Sequence, residues 1–168
     1  YYRSTEEGSI NRTLYVQNLE TEEKRKLSTQ IGDNSIKFSE NFKYYMNSYS
    51  NANTAHYYTL HNSSGKQLKI LEDNAEFNKE MEEFNLTEKE FFTIKTEDAE
   101  LNAWMIKPPD FDKNKEYPLY MFLYGGPGSQ QVTNSFGWTN YYWYQMLAQK
   151  GYIVAVSYTH LTLPTNRE

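Results

Sequence analysis

The stretch Leu119–Gln131, LYMFLYGGPGSQQ, decides how the rest of the chain is read. The apolar and aromatic residues from Leu119 to Tyr124 are bounded by Pro118 and Gly125. The run is too short for a full helix, and it predicts a strand buried on both faces. Gly125, Gly126, Pro127 and Gly128 then impose a turn whose backbone can pass close to another group. Tyr124, the last residue of the strand, would stand at the carboxyl edge of a sheet, where open α/β sheets bind ligands. The local pattern leaves two readings open: a ligand-facing edge, or an ordinary turn after a strand that ends in an ordinary Tyr. No Gly-Lys-Ser/Thr follows the glycines, which argues against a phosphate-cradling loop.

Downstream, the spacing predicts a helix over Trp138–Lys150, with Tyr142, Met146 and Gln149 on one ridge and Tyr144, Leu147 and Ala148 on another. Gly151 is placed to end it, and Tyr152–Val156 reads as a second short strand. Strand, glycine turn, helix and strand make a βαβ unit. Upstream, Glu90–Thr96 and Leu101–Lys107 form a strand pair that ends at Pro108-Pro109, followed by a solvated loop at Asp112–Lys115. A short helix from Asp73 to Phe84, with Phe77, Met81 and Phe84 as its apolar stripe, reads as a connector. Before it come strands at Thr13–Asn18, Lys24–Leu27, Ser35–Phe38, Tyr44–Tyr49, His56–His61 and Lys66–Leu71, broken by Gly, Asn and Ser. Their spacing suits a sandwich, a barrel or propeller blades, so the chain reads as all-β followed by α/β.

Composition narrows the function. With 17 basic and 22 acidic residues among 168, a net charge of −5 and a pI near 5.3, the chain has no electrostatic footprint for nucleic acid. Aromatic residues reach 17%, including 16 Tyr, which is not the composition of a disordered chain. The absence of Cys excludes disulfides and thiolate chemistry. No apolar run approaches the roughly 18 to 20 residues of a membrane helix. The opening Tyr1-Tyr2-Arg3 reads as the middle of a longer protein. The triplets Asn11-Arg12-Thr13, Asn62-Ser63-Ser64 and Asn85-Leu86-Thr87 are common by chance in Asn-rich sequence and are given no role.

Several of these segments recur together. Tyr57, Thr59-Leu60-His61, Leu71-Glu72-Asp73-Asn74, Tyr117-Pro118 and Tyr124-Gly125-Gly126-Pro127-Gly128-Ser129-Gln130, in this order, resemble the dipeptidyl peptidase IV-like serine peptidases of the prolyl oligopeptidase family. The resemblance runs from about Tyr1 to Ala155. It implies an eight-bladed β-propeller and an α/β-hydrolase domain acting on peptide substrates, releasing N-terminal dipeptides with Pro or Ala second. Residues 1–72 would be the C-terminal blade or blades, 73–86 the connector helix and 87–155 the start of the hydrolase domain. Tyr124 falls on the family's oxyanion-hole tyrosine, with Gly125 and Gly126 bringing backbone close to the site. The physics agrees with that role, since a fixed phenol O–H stabilises the charge that develops on an attacked carbonyl oxygen. The resemblance further implies no cofactor and no metal, no nucleic-acid partner, a homodimeric parent protein, and a periplasmic, extracellular or cell-surface location.

The resemblance also has limits. The family needs Ser, Asp and His in chain order, with Ser on a Gly-x-Ser-x-Gly elbow. No such pentapeptide occurs, and Ser129, Ser135 and Ser157 are not flanked that way. His56 and His61 fall within the β-rich part, where a His is usually structural or solvated. The chain by itself is therefore expected to be inactive. An oligopeptidase or acylaminoacyl peptidase relative, and a catalytically dead binding propeller, are the competing readings. From Val156 to Thr165 the sequence resembles the translation of a transposon-end adapter, so residues 156–168 are expected to be a non-native, loosely attached tail carrying His160.

Overall fold

A computed structural model describes residues 1–97, 99–124, 130–137 and 140–158. The chain divides into two compact units: Tyr1–Asn85 with Thr133–Thr139, and Leu86–Val132 with Asn140–Glu168.

The first unit holds β1 (Tyr2–Ser4), β2 (Thr13–Gln17), β3 (Lys24–Lys26), β4 (Asp33–Phe38), β5 (Tyr44–Asn51), β6 (Thr54–Asn62), β7 (Gln67–Glu72) and α1 (Ala75–Glu82). Its strands form two antiparallel sheets, β1-β2-β3 and the meander β4-β5-β6-β7. The period-2 pattern is clearest in β5, which buries Tyr45, Asn47 and Tyr49 on one face. The turn chemistry fixes the hairpins. Between β6 and β7, the Asn62 side-chain oxygen accepts from the backbone N–H of Ser64 (3.2 Å) and Lys66 (2.9 Å), and Gly65 takes a positive φ. Gly32 is required for a different reason: a Cβ there would lie 2.4 Å from the Ser50 carbonyl oxygen.

Leu14, Leu27 and Tyr45 make the core of this unit, flanked by Val16, Ile36 and Phe38. Two buried amides, Asn47 and Asn34, are linked in a chain, while Asn47 Oδ1 and the Tyr45 hydroxyl are buried with no hydrogen-bond partner among the described residues. Asn47 donates to Asn34 Oδ1 (3.0 Å), and Asn34 donates to the carbonyls of Arg12 (2.9 Å) and Gln30 (3.1 Å). α1 buries no residue, and Phe84 of its expected stripe is exposed. Its first turn is held by Asp73, which accepts from the Ala75 N–H at 3.0 Å, whereas Asn74 adopts a left-handed conformation.

The second unit holds β8 (Lys89–Lys95), β9 (Glu100–Ile106), β10 (Leu119–Tyr124), α2 (Tyr141–Gln149) and β11 (Ile153–Tyr158). The sheet order is β10-β11-β9-β8; β10 and β11 are parallel and the other pairs antiparallel. Parallel neighbours need a crossover, which α2 supplies. Tyr141, Tyr144, Gln145 and Ala148 form its buried ridge, while Tyr142 of the other expected ridge is exposed. The Tyr144 ring packs edge-on to Trp104 (5.6 Å) and against Tyr120 (6.1 Å). Gly151, at φ 88°, closes the helix: its N–H donates to the Ala148 carbonyl (2.9 Å) and the Tyr152 N–H to that of Leu147 (3.1 Å).

Two expectations are corrected here. β10 is not buried on both faces. It forms one edge of the sheet, pairs only with β11 among the described residues, and leaves Leu119, Met121, Leu123 and Tyr124 exposed. Its apolar run signals a strand that wants cover, and the described residues provide little. Nor does the chain come loose at Val156. Val156 and Ser157 are buried strand residues in register with Trp104 and Ala103 of β9, because Val-Ser-Tyr continues the β pattern. Residues 159–168, with His160, lie outside the described residues.

Candidate functional site

Tyr124 is the last residue of β10, in register with Tyr158 at the end of β11. In a parallel pair joined by a helix, the carboxyl ends of both strands lie at the same sheet edge, as the sequence reading required of Tyr124. Tyr124 is 43% exposed at that edge. Its O–H can donate one hydrogen bond to a developing oxyanion. Gly125, Gly126 and Ser129 lie outside the described residues.

The remaining candidates from the sequence are not brought together as a catalytic set. Ser157 is buried, and its Oγ has no hydrogen-bond partner among the described residues. Ser135 Oγ lies 2.8 Å from Thr133 Oγ1. His56 Nδ1 is 3.4 Å from Ser48 Oγ, on neighbouring strands β5 and β6. His61 is locked between Thr59 Oγ1 (2.8 Å) and the Gly65 carbonyl (3.2 Å), and its ring stacks on Tyr45 at 4.8 Å. Burial pushes the Tyr45 phenol up to about 12. These contacts make His61 a structural residue of the β6–β7 hairpin. Among the described residues no group of three or more His, Cys, Asp or Glu could hold a metal ion.

Residues not singled out in the sequence carry the strongest local chemistry. Lys89, at the start of β8, is buried, with its ammonium 5.2 Å from the ring centre of Trp104 and 5.1 Å from that of Tyr141. Desolvation lowers its pKa to about 8, and the two aromatic faces offset part of that cost. Gln145 of α2 clamps the entry to β8, accepting from the Thr87 N–H (2.9 Å) and donating to the Thr87 carbonyl (2.7 Å). Asn134, in a segment without helix or strand, makes three hydrogen bonds inside the first unit. No local signal distinguishes these residues, since their partners are remote in sequence.

Comparison with known proteins gives a consistent result. Residues 1–56 match the family model described as the dipeptidyl peptidase IV (DPP IV) N-terminal region. A probable dipeptidyl-aminopeptidase B of Verticillium alfalfae is 32% identical over 140 residues, covering 81% of this chain and 16% of that protein. Dipeptidyl peptidase 4 of Sus scrofa is 40% identical over 87 residues, covering 50% of this chain and 11% of that protein. Prolyl endopeptidase FAP of Bos taurus is 38% identical over 101 residues, covering 58% and 13%. The crystal structure of Porphyromonas gingivalis dipeptidyl peptidase 4 superposes with a TM-score of 0.86 at 42% identity, covering 93% of this chain and 22% of that one. The chain thus spans 16% of the first of these curated relatives.

Proposed function

We propose, from the premise that this chain belongs to the dipeptidyl peptidase IV-like peptidases, that the intact protein is a serine exopeptidase. It removes dipeptides with Pro or Ala second from the amino terminus of peptides through an acyl-enzyme. The meander β4–β7 is read as one propeller blade, and β1–β3 as strands of its neighbour. The mixed sheet β8–β11 with α2 is read as the opening of an α/β-hydrolase domain.

The observation that carries the reading is the position of Tyr124, exposed and last in the parallel strand β10, directly before the sequence Gly125-Gly126-Pro127-Gly128. In the proposed reaction a Ser Oγ, deprotonated by a His, attacks the carbonyl of the second substrate residue, and the Tyr124 phenol donates to the resulting oxyanion. Collapse of the tetrahedral intermediate expels the new amino terminus, protonated by the same His, and water then releases the dipeptide. Tyr124 lowers the barrier because its dipole is already oriented when charge develops. The nucleophile, the His and its Asp, together with the acidic groups that would hold a substrate ammonium, are assigned to parts of the protein beyond this chain. The parent is further proposed to act as a homodimer outside the cytoplasm.

A second reading has one observation in its favour, the 38% identity to a relative named a prolyl endopeptidase. Assay of the intact protein on Gly-Pro and on N-acetyl-Gly-Pro chromogenic substrates separates the two. Cleavage of the free amine form alone supports the exopeptidase, comparable cleavage of both supports an endopeptidase, and cleavage of neither refutes the peptidase reading.

A further inference from the structure

The second unit buries a cation at the point where α2 docks on the entry to β8. Lys89, the first residue of β8, stands opposite Ile106 of β9, and Trp104 is its diagonal neighbour on the same face. The Lys89 ammonium lies 5.2 Å from the centre of the Trp104 ring and 5.1 Å from that of Tyr141, the first residue of α2. One helical turn on, Gln145 holds both the N–H and the carbonyl of Thr87, two residues before Lys89. Tyr141 and Gln145, at i and i+4 on one ridge, thus meet the strand entry at Lys89 and Thr87. Lys89, Trp104, Tyr141 and Gln145 are all buried. The first turn of α2 has no side-chain hydrogen bond from its N-cap residue and no acidic residue, so its attachment depends on what its side chains touch.

The groups turned toward Lys89 are Ile106 and Trp104 from β9 and Tyr141 from α2, with Tyr144 and Gln145 beside Tyr141 on the same ridge. Of these only the two tyrosines titrate, and burial raises both, so they stay neutral where Lys89 changes charge. Glu88 is exposed, and strand alternation sends Glu90 to the opposite face, where it pairs with Lys107. The two rings attract the ammonium, but removing it from water costs more, and burial lowers its pKa from 10.5 to about 8. The docked arrangement therefore favours the neutral amine, and any arrangement that lets the ammonium reach water favours the charged form. We propose that Lys89 is a proton-operated latch for the first turn of α2: the neutral amine keeps Tyr141 docked at the entry to β8, and protonation favours a local opening in which that turn lifts and the ammonium is hydrated. The element so controlled is the crossover helix between β10 and β11.

The test is amide hydrogen exchange of the intact protein, with each rate divided by that of an unstructured peptide at the same pH. Protection of the Tyr144 and Gln145 amides is expected to rise about tenfold between pH 7 and pH 9, while the amides of β9 remain better protected throughout. Lys89→Met, with no charge to bury, is expected to hold the higher protection at every pH. Lys89→Arg, which stays charged, is expected to hold the lower one. Protection in the unmodified protein that does not change with pH, or that changes equally in Lys89→Met, overturns the inference. So does equal protection of α2 and β9, which would make the opening a global unfolding and not a latch. If neither variant folds, the profile of the unmodified protein decides by the same criteria.

Discussion

Lys89 holds its ammonium 5.2 Å from the centre of the Trp104 ring, buried at the start of β8 with Tyr141 on its other flank. Burial lowers its pKa from 10.5 to about 8. Between those values the unfolded chain binds the proton and the folded chain does not, so stability rises with pH across that window and is flat below it. The raised pKa of Tyr141 works in the opposite direction only above about pH 10, its ordinary value. Thermal unfolding of the intact protein should therefore shift upward between pH 8 and pH 10. Lys89→Met should abolish that rise and stabilise the protein at pH 7 by an amount of order 1–3 kcal/mol. An unchanged pH profile in the variant would show that Lys89 is not the titrating group.

Asn34 and Asn47 form a buried amide pair across β4 and β5, joined at 3.0 Å. Asn34→Ala leaves the Asn47 amide buried with its donor unpaired, which costs about 1–3 kcal/mol. The double variant Asn34→Ala/Asn47→Ala should cost less than the two single losses added together, because the pair is removed as a unit. Additive losses in denaturant unfolding would mean that the two amides act independently.

The chain expressed alone presents two uncovered strands. β10 leaves Leu119, Met121 and Leu123 exposed at a sheet edge, and β7 does the same with Leu68, Ile70 and Leu71. Such edges pair with other chains. Size-exclusion chromatography should find aggregates or large oligomers. A monomeric peak with one cooperative thermal transition would contradict this.

Much of the strand pattern was legible because it is written locally. Alternation in β5, the Asn62–Gly65 turn and Gly151 after α2 need only their neighbours to take effect. The strand β1, Tyr2–Ser4, was not legible, since three residues become a strand only when β2 pairs with them. The exposed face of β10 escaped for a related reason: a run of apolar residues records a demand for burial, not the supply of neighbours that meets it. Of the candidate site, Tyr124 could be placed from the strand-then-glycine pattern. Lys89 and Asn134 could not. A Lys beside Glu and an Asn in a polar loop read as solvated, and only Trp104, Tyr141, Asn11 and Ala52, brought from elsewhere in the chain, give them their environments.

The central claim is that the Tyr124 phenol stabilises an oxyanion, and replacing the O–H alone tests it most directly. In the intact protein, Tyr124→Phe should lower kcat on a Gly-Pro substrate by about 10²-fold or more, as loss of one oxyanion donor does, with little change in melting temperature. A fall of less than about threefold would contradict the account and leave Tyr124 as an ordinary strand residue.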